Sequence, residues 1–230
     1  MAAAAFASEG YAVLPGLISA DHCDTLISLL ADLADLAEGA GSRDLLERDG
    51  CRKLAQMLSE HTALAGLLPA GHRAIQCTFF DKSADRNWLV ALHQDLSVPV
   101  AARVADAGLT GWSVKQEQTF VHAPRPLLND LVAVRLHLDD CGPDDGPLRV
   151  VPATHALGVL TPEAARMERD RRGEVSCCVE RGGALAMRPL LLHASSKSTS
   201  GRHRRVLHFV YGPEEPGWGL AWPQVASMRC

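Results

Sequence analysis

Two short runs of the chain pair an imidazole with a carboxylate two residues on: His93 and Asp95 in "NWLVALHQDLSVPV", and His137 and Asp139 in "LVAVRLHLDDCG". On a β-strand, residues i and i+2 project from the same face, so either pair can reach one ion together. Imidazole plus carboxylate suits iron or zinc. A second imidazole completes the 2-His-1-carboxylate set of non-haem Fe(II) oxygenases, which leaves positions open for a co-ligand and O2. "RPLLLHASSKSTSGRHRRVLHFVYG" offers that imidazole at His193, followed by Arg202, Arg204 and Arg205. A guanidinium has a use there, because a dicarboxylate such as 2-oxoglutarate, chelating iron by one end, needs a bidentate cation at the other. Spacing does not choose between the twin pairs: Asp95 lies 98 residues from His193 and Asp139 lies 54. Context favours the first. Asp139 adjoins a "CGPDDG" turn, where carboxylates shape the turn itself, whereas "HQD" follows an apolar run suited to holding ligands rigidly.

The elements that must position these groups change character along the chain. "GYAVLPG" (Gly10 to Gly16) predicts a short strand. It is followed by an amphipathic helix capped at Ser19 or Asp21, with Leu26, Leu29, Leu30, Leu33 and Ala37 on one packing face. A second helical stretch is expected over Ser42–Leu68, broken near Gly50. From Ala74 onward come "AIQCTFF", "NWLVALHQD", "LVAVRLHLDD", "LRVVP", "EVSCCVE", "ALAMRPLLLHAS" and "RRVLHFVYG", short runs separated by Gly, Pro and Asp turns. Helices first and strands afterwards, without alternation, predict a mainly β sandwich or barrel flanked by N-terminal helices. The expected layout is one domain over 1–230: a mostly helical part over 1–70, a β core over 74–212 and a tail over 213–230. Between Leu96 and Asp130 lie about 35 residues without a clear pattern, long enough to predict a functional lid.

The chain has 230 residues, 47% hydrophobic and 22% charged, which is ample for a core without disulfides or structural zinc. A net charge of −4 argues against a nucleic-acid partner. No apolar run is long enough for a membrane span, and "MAAAAFASEG" lacks the basic and apolar regions of an export signal. Seven cysteines without a C-x-x-C read as reduced thiols, so the expected location is cytoplasmic.

Three segments carry a resemblance. "W-x-x-x-x-H-Q-D" (Trp88 to Asp95), "LDDCGPDDGPLRVVPATH" (Leu138 to His155) and "GGALAMRPLLLHASS" (Gly182 to Ser196) occur in the order found in the phytanoyl-CoA dioxygenase family. The likeness runs from about Gly10 to Tyr211, with "PATH" where relatives read "PGSH". It implies a double-stranded β-helix (a cupin-like jelly roll) that uses Fe(II) and 2-oxoglutarate. It also implies iron ligands His93, Asp95 and His193, with Arg204, eleven residues beyond His193, on the far carboxylate of 2-oxoglutarate. Gln76 and Ser195 match positions that touch the cosubstrate in relatives. His137 matches a non-ligand position on a neighbouring strand, and Arg135 and His137 are candidates for the substrate pocket. Trp88, Trp112 and the Leu96–Asp130 segment are candidates for its wall, while His155 and His208 read as structural. The implied activity is a dioxygenase that hydroxylates a small organic substrate with O2, releasing succinate and CO2. A non-catalytic jelly-roll binding module is the alternative. A halogenase is disfavoured, because it needs a small residue in place of Asp95. No motif selects the substrate or the oligomeric state.

Overall fold

The computed structural model describes residues 2–31, 41–106 and 108–223. Two sheets face one another. The larger has the order β1–β10–β7–β12–β2 and the smaller β3–β11–β8–β9. In the larger sheet these strands are β1 (Tyr11–Leu14), β2 (Arg73–Lys82), β7 (Val132–His137), β10 (Ala184–Met187) and β12 (Arg204–Gly212). The smaller sheet contains β3 (Val90–His93), β8 (Leu148–Val150), β9 (Val175–Cys177) and β11 (His193–Ser195). All pairings are antiparallel. The expected β-rich jelly roll with N-terminal helices is therefore present.

The larger sheet is covered on both faces, which explains why its strands read as continuous apolar runs. On β7, Val132, Val134 and Leu136 pack outward with Leu207, Phe209 and Tyr211 of β12, against the helices α1 (Ala2–Glu9), α2 (Ala20–Leu29) and α3 (Asp49–Glu60). The Tyr211 hydroxyl donates to the Ala55 carbonyl at 2.9 Å, tying β12 to α3. The alternate residues face inward, between the sheets. Register fixes which ones: Val210, His208, Val206 and Arg204 lie opposite Gln76, Thr78, Phe80 and Lys82 of β2.

Ser19 caps α2, accepting from the His22 N–H at 3.2 Å, and Leu26 and Leu30 are buried as expected while Leu29 is exposed. Leu33 and Ala37 lie outside the described residues. The helical stretch over Ser42–Leu68 is interrupted near Gly50 as expected: Arg48, extended at φ −80° and ψ 124°, separates a 3-10 turn (Leu45–Glu47) from α3. Gly50 sits in the first turn of α3, where a Cβ would come within 2.6 Å of Leu29. One expectation is corrected: the Leu96–Asp130 segment is not a loop. It forms a third sheet of order β4–β6–β5, from β4 (Ser97–Val100), β5 (Thr110–Lys115) and β6 (Gln118–His122), followed by α4 (Arg125–Asp130). Val98, Val100 and Val121 anchor it in a cluster with Leu127, Leu131 and Trp222. A last helix, α5 (Pro162–Arg172), follows β8. No helix among the described residues is long and apolar enough to cross a membrane.

Candidate active site

His93 ends β3 and lies directly opposite His193 on β11 in the antiparallel register. The chain then turns, and the Asp95 N–H donates to the Pro189 carbonyl at 2.9 Å, which aims the carboxylate back between the two rings. His93 Nε2 is 3.5 Å from one Asp95 oxygen and His193 Nε2 is 3.6 Å from the other. Three donor atoms within 4.8 Å of one another form the one such cluster among the described residues. Each imidazole donates its Nδ1–H to a carbonyl two residues back, His93 to Ala91 at 2.8 Å and His193 to Leu191 at 2.9 Å. Those bonds fix the tautomer and turn both Nε2 lone pairs toward the carboxylate, the orientation that metal-binding histidines take.

The electrostatics agree with that use. Burial pushes His193 down to about 4, so it is a neutral imidazole near pH 7. Burial would raise Asp95, but the neighbouring imidazoles of His193 and His93 outweigh it and hold the carboxyl well below the usual range. Burial would lower His93, and its bond to Asp95 more than reverses that. An ionised carboxylate beside a neutral imidazole is the state a divalent cation needs.

Gln94, between the two ligand candidates, shows no chemistry in the sequence but holds the turn. Its amide donates to Gly158 O at 2.8 Å and Leu190 O at 2.6 Å, and its oxygen accepts from the Leu160 N–H at 2.8 Å.

The cluster opens into a cavity of about 440 Å3 between the sheets. Gln76, Trp88, Arg135, Ser195 and Arg204 all line it, as does His208, which was expected to be structural. Of the three clustered arginines only Arg204 points inward. Arg202 pairs with Asp145 at 2.7 Å, and Arg205 makes a bidentate pair with Asp139 at 2.6 and 2.8 Å. Arg204 is 3% exposed and donates to the Gly146 carbonyl, while its Nε has no partner among the described residues. Lys82, opposite Arg204 across the strands, is fully buried under the Trp88 ring and donates to Ser196 O at 2.7 Å; burial, then Arg204, pushes it down to about 8. Gln94 and Lys82 escaped sequence reasoning because each reads as an ordinary polar residue beside a strand end.

The twin motif is split. Asp139 is spent on Arg205, and His137 is not among the cavity-lining residues. His137 is buried behind them, with Nδ1 unpartnered among the described residues; burial, then Arg135, pushes it well below its ordinary value. Arg135 itself lies over the Phe80 ring and donates to His208 Nδ1 at 3.1 Å, so His208 accepts there as a neutral ring. Trp112 also lies away from the cavity lining. It packs with the apolar cluster of the third sheet, its ring under Arg103.

The model for Phytanoyl-CoA dioxygenase (PhyH) matches residues 6–206. The chain belongs to the phytanoyl-CoA dioxygenase family. Solved structures with the same fold include EctD from S. alaskensis in its apoform, at 21% identity and TM-score 0.68, covering 99% of this chain and 85% of that one. Another is the non-heme alpha ketoglutarate dependent carbocyclase SnoK from nogalamycin biosynthesis, at 14% identity and TM-score 0.66, covering 95% and 87%. HygX from Streptomyces hygroscopicus with nickel and 2-oxoglutarate bound aligns at 19% identity and TM-score 0.59, covering 90% and 84%. At these identities the likeness is one of fold. No curated protein matches the chain by sequence. Membership in the phytanoyl-CoA dioxygenase family makes this an oxygenase-family enzyme whose substrate is open.

Proposed function

We propose that the protein is an Fe(II)- and 2-oxoglutarate-dependent dioxygenase that hydroxylates a small organic substrate, with release of succinate and CO2. The observation that carries this is the triad His93, Asp95 and His193 at one end of a cavity whose lining also holds the inward arginine, Arg204. Two neutral-capable nitrogens and one carboxylate fit a divalent first-row metal, and iron with open positions is the use this donor set favours. His93 Nε2, the Asp95 carboxylate and His193 Nε2 would hold it. Bound iron with 2-oxoglutarate supplies the activation of O2 and the oxidative decarboxylation.

The chain's own residues do the rest. Ala91 and Leu191 keep the imidazole tautomers, and Gln94 keeps the ligand turn in place. Arg204 receives the far carboxylate of 2-oxoglutarate, with Ser195 on the same lining beside Lys82, while Gln76 lines the cavity six positions from Lys82 along β2. The third sheet covers the cavity through Val98 and Phe120 and keeps water from the reacting carbon. Asp95 stands where a halogenase would need a smaller residue, so oxygen insertion is favoured over halide transfer.

The test is anaerobic loading with Fe(II), elemental analysis, then succinate release on admitting O2 with 2-oxoglutarate. One iron per chain and slow succinate formation are expected. A chain that stays metal-free, or loads iron and never consumes 2-oxoglutarate, would falsify the proposal.

A further inference from the structure

We infer that the substrate is an organic anion, its acidic group held at the cavity mouth between Arg43 and Lys115 while the carbon to be oxidised faces His93, Asp95 and His193. This rests on the function proposed above and extends it to the substrate class.

The charge of the lining is lopsided. Four cationic side chains reach it, Arg43, Lys115, Arg135 and Arg204, against one carboxylate, Asp95. The whole chain carries a net charge of −4, so the cavity has the sign opposite to the molecule around it. Fe(II) with Asp95 leaves one positive charge, 2-oxoglutarate brings two negative ones, and Arg204 answers the remainder. Arg43, Lys115 and Arg135 are then without a counter-charge on the lining, the Asp44 carboxylate that Arg43 feels lying off it. Arg135 is at least steadied by Phe80 and His208. Arg43 and Lys115 have no ion-pair partner among the described residues, and Lys115 lies over the Phe120 ring at 4.9 Å.

These two cations come from distant parts of the chain and are brought together by a built contact. Gln116, next to Lys115, accepts from the Arg43 N–H at 2.9 Å and donates to the Gly41 carbonyl at 3.3 Å. The β5–β6 connection is a two-residue hairpin, and Gln116 at φ 47° and Glu117 at φ 64° take the left-handed conformation that such a turn requires. The hairpin sets Lys115 on the same lining as Arg43: burial, then Arg43, lowers the Lys115 ammonium below its ordinary value. Like charges held on one lining by a built contact are stabilised by an anion between them. Phe80, Trp88 and Phe120 supply apolar wall for the body of that anion. A carboxylate and a phosphate monoester share the required chemistry.

The test uses protein reconstituted anaerobically with Fe(II) and 2-oxoglutarate. Short linear and aromatic skeletons are offered, each as carboxylate, phosphate monoester, primary amide and amine. Binding is followed by calorimetry without O2, and turnover by succinate released above the rate without compound. We expect acids to bind at least about tenfold more tightly than their amides, and the carboxylate and phosphate arms to separate the two sources. For the best acid, Arg43→Gln and Lys115→Gln should each raise KM about tenfold with kcat little changed, and Lys115→Glu should raise it further. Amides or amines that bind as well as acids, a panel in which no acid binds, or a KM indifferent to both substitutions in folded variants would overturn the inference. Wild-type succinate release without compound reports on the metal and cosubstrate alone. Its absence defeats the proposed function, whereas its presence alongside a neutral preference defeats only this inference.

Discussion

Gln94 has the most to say about how much of the site can be read from residue types. His93, Asp95, His193 and Arg204 stand out in the sequence because metal and carboxylate chemistry permits few alternatives. Gln94 does not, since its role consists of three hydrogen bonds to backbone that is distant in the chain. Gln94→Ala should lower Fe(II) affinity about 10–100-fold, the usual effect of removing support from behind a ligand. Anaerobic titration measures it, and wild-type affinity in the variant would remove Gln94 from the positioning machinery. The basic cluster makes a second contrast. Arg204→Ala should weaken 2-oxoglutarate by about 2–5 kcal/mol, as when one member of a buried charge pair is deleted. Arg202→Ala and Arg205→Ala should leave that affinity within about twofold, because both guanidiniums are paired away from the cavity. They should instead cost stability, Arg202→Ala the more, since it leaves the fully buried Asp145 carboxylate without its cation. Equal losses for all three would show that the inward aim of Arg204 does not matter.

At the scale of elements, the long strands were legible and the third sheet was not. β7 and β12 are buried on both faces and read as apolar runs, and β3 ends in its own motif. β4 carries Pro99 and β5 carries Gly111, residues that ordinarily speak against a strand. Both are edge strands here, where a missing N–H or side chain is tolerated, and the central β6 carries the pairing for each. Gly111 has a further reason, since a Cβ there would meet the His122 ring at 2.3 Å. The segment is thus a paired sheet along the cavity where a loop acting as a lid was expected. Trypsin should cut first at Arg103, in the exposed bend between β4 and β5, and the paired strands should be spared whether or not iron, 2-oxoglutarate and substrate are present. Cleavage at Lys115 that iron and 2-oxoglutarate suppress would restore the lid.

At the scale of the whole molecule, the interior between the sheets holds buried histidines in their neutral form. Burial, then Arg135, pushes His208 down to about 3, and His137 is likewise held well below its ordinary value. An unfolded histidine takes up its proton near pH 6.5, so between that pH and the lowered folded values the unfolded chain binds more protons. Stability of the metal-free protein should therefore fall as the pH drops below 6.5, by up to roughly 2 kcal/mol per site at pH 5. His93, raised by Asp95, opposes this in part. Melting temperatures from pH 7 to 5 check it: His208→Asn, which keeps an acceptor for Arg135 but cannot titrate, should flatten the slope, and an unchanged slope would acquit His208. The register of β3 has a consequence for assembly. β3 is an edge strand of four residues whose only strand partner among the described residues is β11, and its His93 stands directly across from His193. A slip of one residue would turn His93 to the opposite face. Only one alignment of the two strands brings both imidazoles within reach of one ion, so a bound metal would favour that pairing over a slipped one.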